Sequence, residues 1–234
     1  MYRRTFVAAT TTGAVGAIAG CLGDLLDDVT TFEASPIRTT PDAADEAGYT
    51  YEGTDERVEE REFAGESVEA TNYVSQYTRT IDLPIDPLGA EPEAGAFALV
   101  STPQVSVADQ QFNPVGEMDT AELAEYVQEQ YDGLAIDRDV GGRAIGADDI
   151  DGLETGVSFD TYEGTATLLG EIDLDVFVDV AQPDHGDDHL VIVAVYPDDE
   201  AVPIDSERDR IDTMVRGIEH GDDVEVDLRE DDDE

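Results

Sequence analysis

The sequence contains no lysine and no tryptophan, and it has a single cysteine. A Walker-type phosphate loop requires a Gly-Lys pair and Schiff-base chemistry requires the lysine amine, so both kinds of enzyme are excluded. Because Cys21 is the only cysteine, a disulfide framework within one molecule is impossible. What remains is a chain with 40% apolar residues, enough to build a hydrophobic core.

Positive charge is also scarce. Twelve basic residues, all of them arginine, stand against 58 acidic residues, and the net charge is -46. Charges this dense repel over about 10 Å at 0.1 M salt but over only about 3 Å at 1 M. The acid is spread along the whole chain, which predicts a salt-adapted surface in preference to a patch for one basic partner. No basic stripe is present to neutralise phosphates, so nucleic acid is not expected as a partner.

The first twenty residues have the pattern of a twin-arginine export signal. Arg3 and Arg4 precede an uncharged run, residues 8–20, that is shorter than the roughly 20 apolar residues of a membrane span. The run ends in Gly20 and Cys21, which matches a lipobox, where small residues admit the peptidase and the thiol receives the lipid. The alternative is a buried structural cysteine at the end of an apolar helix.

Lipid attachment at Cys21 would anchor the protein on the extracellular face of the cell membrane. The expected partners are therefore the membrane, through that lipid, and an envelope protein of unknown identity. Residues 21–41 are predicted to form a tether, residues 42–220 a single domain, and residues 221–234 a disordered acidic tail.

Strand patterns outnumber helical patterns in the predicted domain. Residues 172–180 alternate apolar residues with aspartate, which predicts one face in the core and the other mostly toward water. The clearest helix begins at Asp119 or Thr120, where Glu122 completes a capping box. Short connections between adjacent strands favour the α+β class, with an antiparallel β-sheet and helices packed on one of its faces.

Several segments carry a family resemblance that covers nearly the whole chain after the signal. They are Arg3-Arg4-Thr5-Phe6, Gly20-Cys21, Phe32-Glu33-Ala34-Ser35-Pro36, Thr71-Asn72-Tyr73-Val74, Ser101-Thr102-Pro103-Gln104-Val105, Phe112-Asn113-Pro114-Val115-Gly116 and the stretch from His185 to Pro197. Together they resemble uncharacterised haloarchaeal lipoproteins with a domain of unknown function, a resemblance that implies no catalytic residues. The element order over residues 97–218 also resembles PsbP-type and Mog1-type proteins, which are mainly binding and assembly proteins.

Candidate metal ligands and nucleophiles are few. His185 and His189 flank Gly186-Asp187-Asp188 and are the one cluster with metal-ligand residue types, although a polar turn between two strands explains them as well. Asp149 begins a stretch similar to a calcium loop, but its twelfth position is Asp160 and not glutamate. Ser158 lies in a pattern that lacks the final glycine of a nucleophile elbow.

Two further features have a structural and a functional interpretation. Residues 112–116 could shape a ligand mouth, or they could form the turn that leads into the next helix. Four tyrosines on neighbouring predicted strands could form an aromatic platform, or they could pack in a half-buried sheet face; they are Tyr49, Tyr51, Tyr73 and Tyr77.

The sequence therefore predicts a lipid-anchored, salt-adapted cell-envelope protein that acts as a non-enzymatic binding or assembly module without a cofactor. The alternative is a small carboxylate- or metal-dependent hydrolase that uses His185 and His189. A solute-binding transporter component is a third option, disfavoured because such proteins have two lobes and a longer chain.

Overall fold

The computed structural model describes residues 31–63, 66–81, 93–107, 110–111, 114–131, 133–150, 152–168, 172–198 and 203–229. The predicted export signal, with Arg3 and Arg4, and Cys21, the predicted site of lipid attachment, lie outside the described residues. No helix in the described part is long and apolar enough to cross a bilayer.

Most of the described chain forms β-strands. The strands are β1 Thr31–Glu33, β2 Ile37–Thr39, β3 Thr50–Phe63, β4 Glu66–Thr80, β5 Glu93–Pro103, β6 Ser106–Val107, β7 Gln110–Gln111, β8 Leu134–Ile145, β9 Val157–Leu168, β10 Ile172–Ala181, β11 Asp184–His185, β12 Asp188–Pro197 and β13 Ile218–His220. The described residues include three α-helices, α1 Pro41–Ala47, α2 Thr120–Gln130 and α3 Ile204–Arg216. Short 3-10 turns occupy Pro114–Glu117 and Ala147–Asp149.

Nine of these strands form one mixed sheet. Its main path runs β3-β4-β5-β12-β10-β9-β8 with every neighbouring pair antiparallel, and β11 extends it beside β12. The sheet is mixed because β1 pairs with β4 in the parallel direction. Two small ladders, β2 with β13 and β6 with β7, complete the strand pairing.

Both faces of this sheet are covered by helices. On one face, α1 and α3 pack through Ala44, Ala47, Ile211 and Met214 into a core with the inward side chains of the central strands. On the other face, α2 packs through Leu123, Ala124 and Val127 against the valines of β10 and β12. The prediction of an α+β domain, with an antiparallel sheet and helices on one of its faces, is therefore wrong, because the described chain is mostly β and its nine-stranded sheet is mixed and has helices on both faces.

Strand β10 shows why the sequence pattern was misleading. Its even positions from Leu174 onward are buried, as predicted, and Asp173 and Asp175 on the other face are exposed. Further along the same face, however, Phe177, Asp179 and Ala181 are also buried. An aspartate facing water and an aspartate paired inside the protein give the same alternation in sequence, so the pattern could not separate them.

Local signals specify the helix ends. The capping box of α2 is confirmed, since the Asp119 carboxylate accepts hydrogen bonds from the backbone N–H groups of Ala121 and Glu122 and the Glu122 side chain accepts one from the Asp119 N–H. Helix α1 begins with Pro41 after the Thr40 cap and ends at Gly48, whose positive φ of 77° favours glycine.

The predicted domain boundaries need correction at both ends. Residues 31–41, which were expected to belong to the tether, contribute β1, β2 and the start of α1, and Ile37 is fully buried. Residues 221–229, which were expected to begin the tail, contact β3: the N–H of Thr54 donates to the Asp227 carbonyl, and the N–H of Arg229 donates to the Thr54 carbonyl. The folded unit therefore extends beyond residues 42–220 in both directions.

Candidate functional site

A groove lies between α2 and the outer strands of the sheet, on the face opposite α1 and α3. We call it the outer groove, and its volume is about 200 Å³. Its floor is formed by β4, β5 and β12, and its walls are β3 and the exposed side of α2. The lining residues combine apolar and polar side chains and include Arg57, Glu59, Asn72, Val74, Ala98, Val100, Met118, Tyr126, Gln130 and Tyr131.

A second space of about 180 Å³ adjoins the outer groove, is more open to solvent than the groove, and extends over the sheet toward the end of β9 and the beginning of β10. We call it the inner cavity because it lies nearer the middle of the sheet. This inner cavity is almost entirely apolar, and Thr167 is the one polar residue of its described lining other than Tyr131. Its space comes from small residues, because Ala94, Ala96 and Ala98 are alternate residues of β5 and share the face that lines it. Larger side chains at these positions would fill the cavity.

Tyr131, the residue that follows α2, lines both spaces together with Ala98 and Val193. Burial raises the pKa of Tyr131, while nearby Arg57 opposes this rise and Asp55 adds to it. Both charged neighbours belong to β3, so the phenol lies close to the opposite wall of the outer groove. Tyr131 is still 44% exposed, and it marks the junction between the outer groove and the inner cavity.

The charges along the β3 wall balance one another. Asp55 lies 3.7 Å from the Arg57 guanidinium and 3.4 Å from that of Arg229. Glu59 supplies a second carboxylate to the lining. Two cations therefore face two carboxylates, although the protein as a whole is strongly acidic. Gln76 is held between Asp55 and Arg229 by hydrogen bonds at 3.1 and 3.3 Å.

The predicted metal ligands His185 and His189 lie in the β11–β12 hairpin. His185 pairs across the hairpin with Asp188, and His189 pairs with Asp184. Directly opposed residues share a face and consecutive residues alternate, so the two imidazoles lie on opposite faces of the sheet. The structure does not bring them together, and among the described residues no three His, Cys, Asp or Glu side chains are arranged to hold a metal ion.

Each histidine of the hairpin has a structural environment of its own. His189 Nδ1 lies 2.6 Å from the Asp184 carboxylate, and its ring packs against Gly116, where a Cβ atom would collide with Nε2. This contact explains the glycine of the segment 112–116. Phe112 and Asn113 lie outside the described residues, and the 3-10 turn Pro114–Glu117 precedes α2. On the other face, burial and then the neighbouring His220 lower the pKa of His185.

A polar cluster that the sequence did not predict surrounds His220. His220 Nε2 is 3.0 Å from both Ser101 Oγ and Asp188 Oδ2, and Asp188 also accepts a hydrogen bond from the Ser35 N–H at 2.8 Å. In a Ser-His-Asp triad the acid faces Nδ1 while the serine faces Nε2. Here both partners contact the same nitrogen, so the cluster joins the chain near β1 and β13 to the main sheet and lacks the triad arrangement.

The other candidates also occupy structural positions. Asp149 belongs to a 3-10 turn, and Ser158 is an exposed residue within β9. Tyr49, Tyr73 and Tyr77 are buried. Tyr51 packs against Tyr77 with ring centroids 5.1 Å apart. Tyr49, Tyr51 and Tyr77 therefore pack in the core on the α1 and α3 side of the sheet, and the Tyr73 hydroxyl donates to Glu33. The outer groove lies on the other side, and its aromatic rings are those of Tyr126 and Tyr131.

Sequence reasoning did not find the outer groove or the inner cavity. Their lining residues come mainly from α2 and from seven strands, β3, β4, β5, β8, β9, β10 and β12, and no short motif unites them. The one local signal was the row of alanine and glycine residues at the start of β5, in a position where core strands otherwise carry larger apolar side chains.

Comparisons with known proteins identify the family to which the chain belongs. A search of curated proteins finds no significant match. The model of a family described as a domain of unknown function, DUF6517, matches residues 36–219, which cover most of the chain and include both the outer groove and the inner cavity. The chain therefore belongs to the family defined by this domain of unknown function, DUF6517.

Proposed function

We propose that this protein is a non-enzymatic ligand-binding module of the cell envelope, held on the outer face of the membrane by lipid on Cys21. Its ligand occupies the outer groove. The groove is the observation that carries the proposal, because it combines aromatic and aliphatic walls with a few polar groups, as ligand sites do. The lipobox pattern at Cys21, the twin arginines Arg3 and Arg4 and the resemblance to haloarchaeal lipoproteins support the location.

The geometry favours binding over hydrolysis. The outer groove contains no histidine or serine in its described lining, and its carboxylate Glu59 is on the wall that also carries Arg57. The polar clusters elsewhere in the fold, around His220 and around Asp179, join elements of the structure to one another. A groove with charge-balanced polar groups at one side and aromatic rings at the other is suited to holding a molecule.

The anchor can be tested with Cys21→Ser. A serine oxygen cannot receive the thioether-linked lipid, so we expect the variant to move from the membrane fraction to the medium almost completely, while the unmodified protein remains with membranes at high salt. Membrane and soluble fractions probed by immunoblot give the readout. Retention of Cys21→Ser in the membrane fraction would show that lipid on this residue is not the anchor.

The outer groove can be tested by photo-crosslinking in intact cells. A benzophenone amino acid at Tyr126, which lines the groove and is 38% exposed, should form a specific adduct with the bound molecule. The same amino acid at the exposed Ala144 of β8 is the matched control. Adding Ala98→Trp, which blocks the junction of groove and cavity, should reduce the Tyr126 adduct at least about tenfold, since burial of the ligand is lost.

A comparison of the adducts formed at the different positions tests whether the ligand occupies the outer groove. Equal adducts from positions 126 and 144, or an adduct at 126 that persists in the Ala98→Trp background, would mean that the groove does not hold the ligand. The circular dichroism spectrum of the Ala98→Trp protein shows whether it is folded.

A further inference from the structure

We infer that the ligand is a single-chain amphiphile, whose hydrocarbon tail occupies the inner cavity and whose uncharged polar head occupies the outer groove. This inference rests on the proposed function and names the chemistry of its ligand. It follows from three observations about the two spaces, namely that they adjoin each other, that the lining of one is apolar, and that the charges beside the other are balanced.

The two spaces adjoin each other. Ala98, Tyr131 and Val193 line both, so a molecule that lies across these residues extends from the outer groove into the inner cavity. A compact globular ligand would fill one of the spaces and leave the other empty. An extended molecule fills both, and the Tyr131 ring then lies beside the point where its polar and apolar parts join.

The inner cavity suits a hydrocarbon tail. Leu174, Val176 and Val195 form its apolar floor together with the alanines of β5, on one face of the sheet. A polar head placed there would gain almost no hydrogen bonds from the protein, because Thr167 is the one polar residue of the described lining beyond the junction. The lining therefore excludes the head and accepts the tail.

The outer groove suits an uncharged head. Arg57 and Arg229 already face Asp55 and Glu59 along the β3 wall, so an added charge of either sign would lack a free counterion there. Neutral hydrogen-bonding groups are present in the same lining. The Asn72 Oδ1 atom accepts from Thr102 Oγ1 at 2.6 Å, which leaves the Asn72 amide N–H groups as donors toward a hydroxyl or ester oxygen.

The experiment uses three probes with the same eight-carbon chain and different heads. Monooctanoylglycerol is neutral, octanoate is anionic and octylamine is cationic. Each is titrated by calorimetry into the full chain carrying Cys21→Ser, in molar salt so that long-range repulsion is screened. We expect monooctanoylglycerol to bind with 1:1 stoichiometry and at least about tenfold more tightly than either charged probe. Equal or tighter binding of octanoate or octylamine overturns the assignment of an uncharged head.

Cavity-filling variants test whether the hydrocarbon tail binds in the inner cavity. Ala96→Phe and Ala166→Leu fill the inner cavity from β5 and β9 respectively, and each should weaken monooctanoylglycerol binding at least about tenfold. Ala144→Phe on β8 is the control and should bind like the parent protein. Unchanged binding in both cavity variants, with a parent-like circular dichroism spectrum, overturns the assignment of the tail.

The outcomes separate this inference from the proposed function. If no probe binds but the Tyr126 crosslink still captures a molecule in cells, the amphiphile is wrong and the groove remains a binding site. If neither binding nor a specific crosslink is found, both proposals fail. If monooctanoylglycerol binds and Ala98→Trp abolishes both signals, the two proposals are supported together.

Discussion

Replacing Asp179 with alanine should lower the free energy of unfolding by about 3–5 kcal/mol, the typical cost of breaking a buried ion pair. Asp179 is fully buried in β10, beneath α3. Its carboxylate lies 3.0 Å from the Arg143 guanidinium and accepts a hydrogen bond from Thr161 Oγ1 at 2.6 Å. The Tyr196 hydroxyl donates to it at 3.3 Å. Removing the carboxylate leaves buried donors without an acceptor and weakens the attachment of β8 to β10.

Asp175→Ala is the matched control for this substitution. Asp175 is on the same strand and the same face as Asp179 but is exposed, so its loss should change the stability by no more than about 0.5 kcal/mol. Chemical denaturation in molar salt measures both variants. If Asp179→Ala is as stable as Asp175→Ala, the network does not contribute to the fold.

The double variant Asp179→Leu with Arg143→Leu tests the physical reason for the loss. The guanidinium of Arg143 also pairs with Asp212 of α3 and lies over the Phe159 ring, 4.6 Å from its centroid. When both charges are replaced by apolar side chains, no uncompensated charge remains between β8 and β10, so we expect the double variant to be more stable than Asp179→Ala. Lower stability of the double variant would mean that the packing and ion pairs of Arg143, and not a stranded charge, dominate.

The strands of this protein could largely be predicted from sequence, and their arrangement could not. The valines and leucine of β10 fall on one face as the alternation predicted, since a strand places every second side chain on the same side. Helical periodicity likewise identified α2 and its capping box. Periodicity reports that a helix has a buried side but not which face of the sheet covers it, and for that reason the prediction of helices on one face failed.

The functional residues were harder to predict for a related reason. Sequence reasoning searched for chemistry in short segments and found His185 and His189, which the pleat of the hairpin places on opposite faces. The outer groove has no such segment, because Arg57, Ala98 and Tyr131 meet through strand pairing between β3, β4 and β5 and through the packing of α2. Long-range pairing of this kind has no signal in a single sequence.

Alkaline pH should unfold the protein in a cooperative transition between pH 10 and 12. Burial raises the pKa of Tyr49, Tyr77 and Tyr196 to about 12, from an ordinary value of 10.0. Because the pKa is higher in the folded protein than in the unfolded chain, the stability is full below pH 10 and decreases as the pH rises through the folded value. Two pH units correspond to about 3 kcal/mol for each tyrosine, so three of them approach the whole stability of a typical domain.

Tyr49→Phe identifies the cause of this transition. The Tyr49 hydroxyl is buried and has no hydrogen-bond partner among the described residues, so its removal should cost almost nothing at pH 7 and should move the alkaline midpoint upward. Tyr77→Phe should also move the midpoint upward. It should cost about 1–2 kcal/mol at pH 7, because the Tyr77 hydroxyl accepts a hydrogen bond from the Thr39 N–H at 2.7 Å.

Tyr126→Phe, at an exposed position on α2, is the control and should leave the midpoint in place. Circular dichroism follows unfolding, and absorbance at the tyrosinate band follows ionisation. If burial of the three phenols opposes their ionisation, both signals change together and Tyr49→Phe lowers the amplitude of the tyrosinate signal in that transition. Ionisation of these tyrosines near pH 10 without loss of structure, or an unchanged midpoint in Tyr49→Phe, would show that the buried phenols do not control alkaline stability.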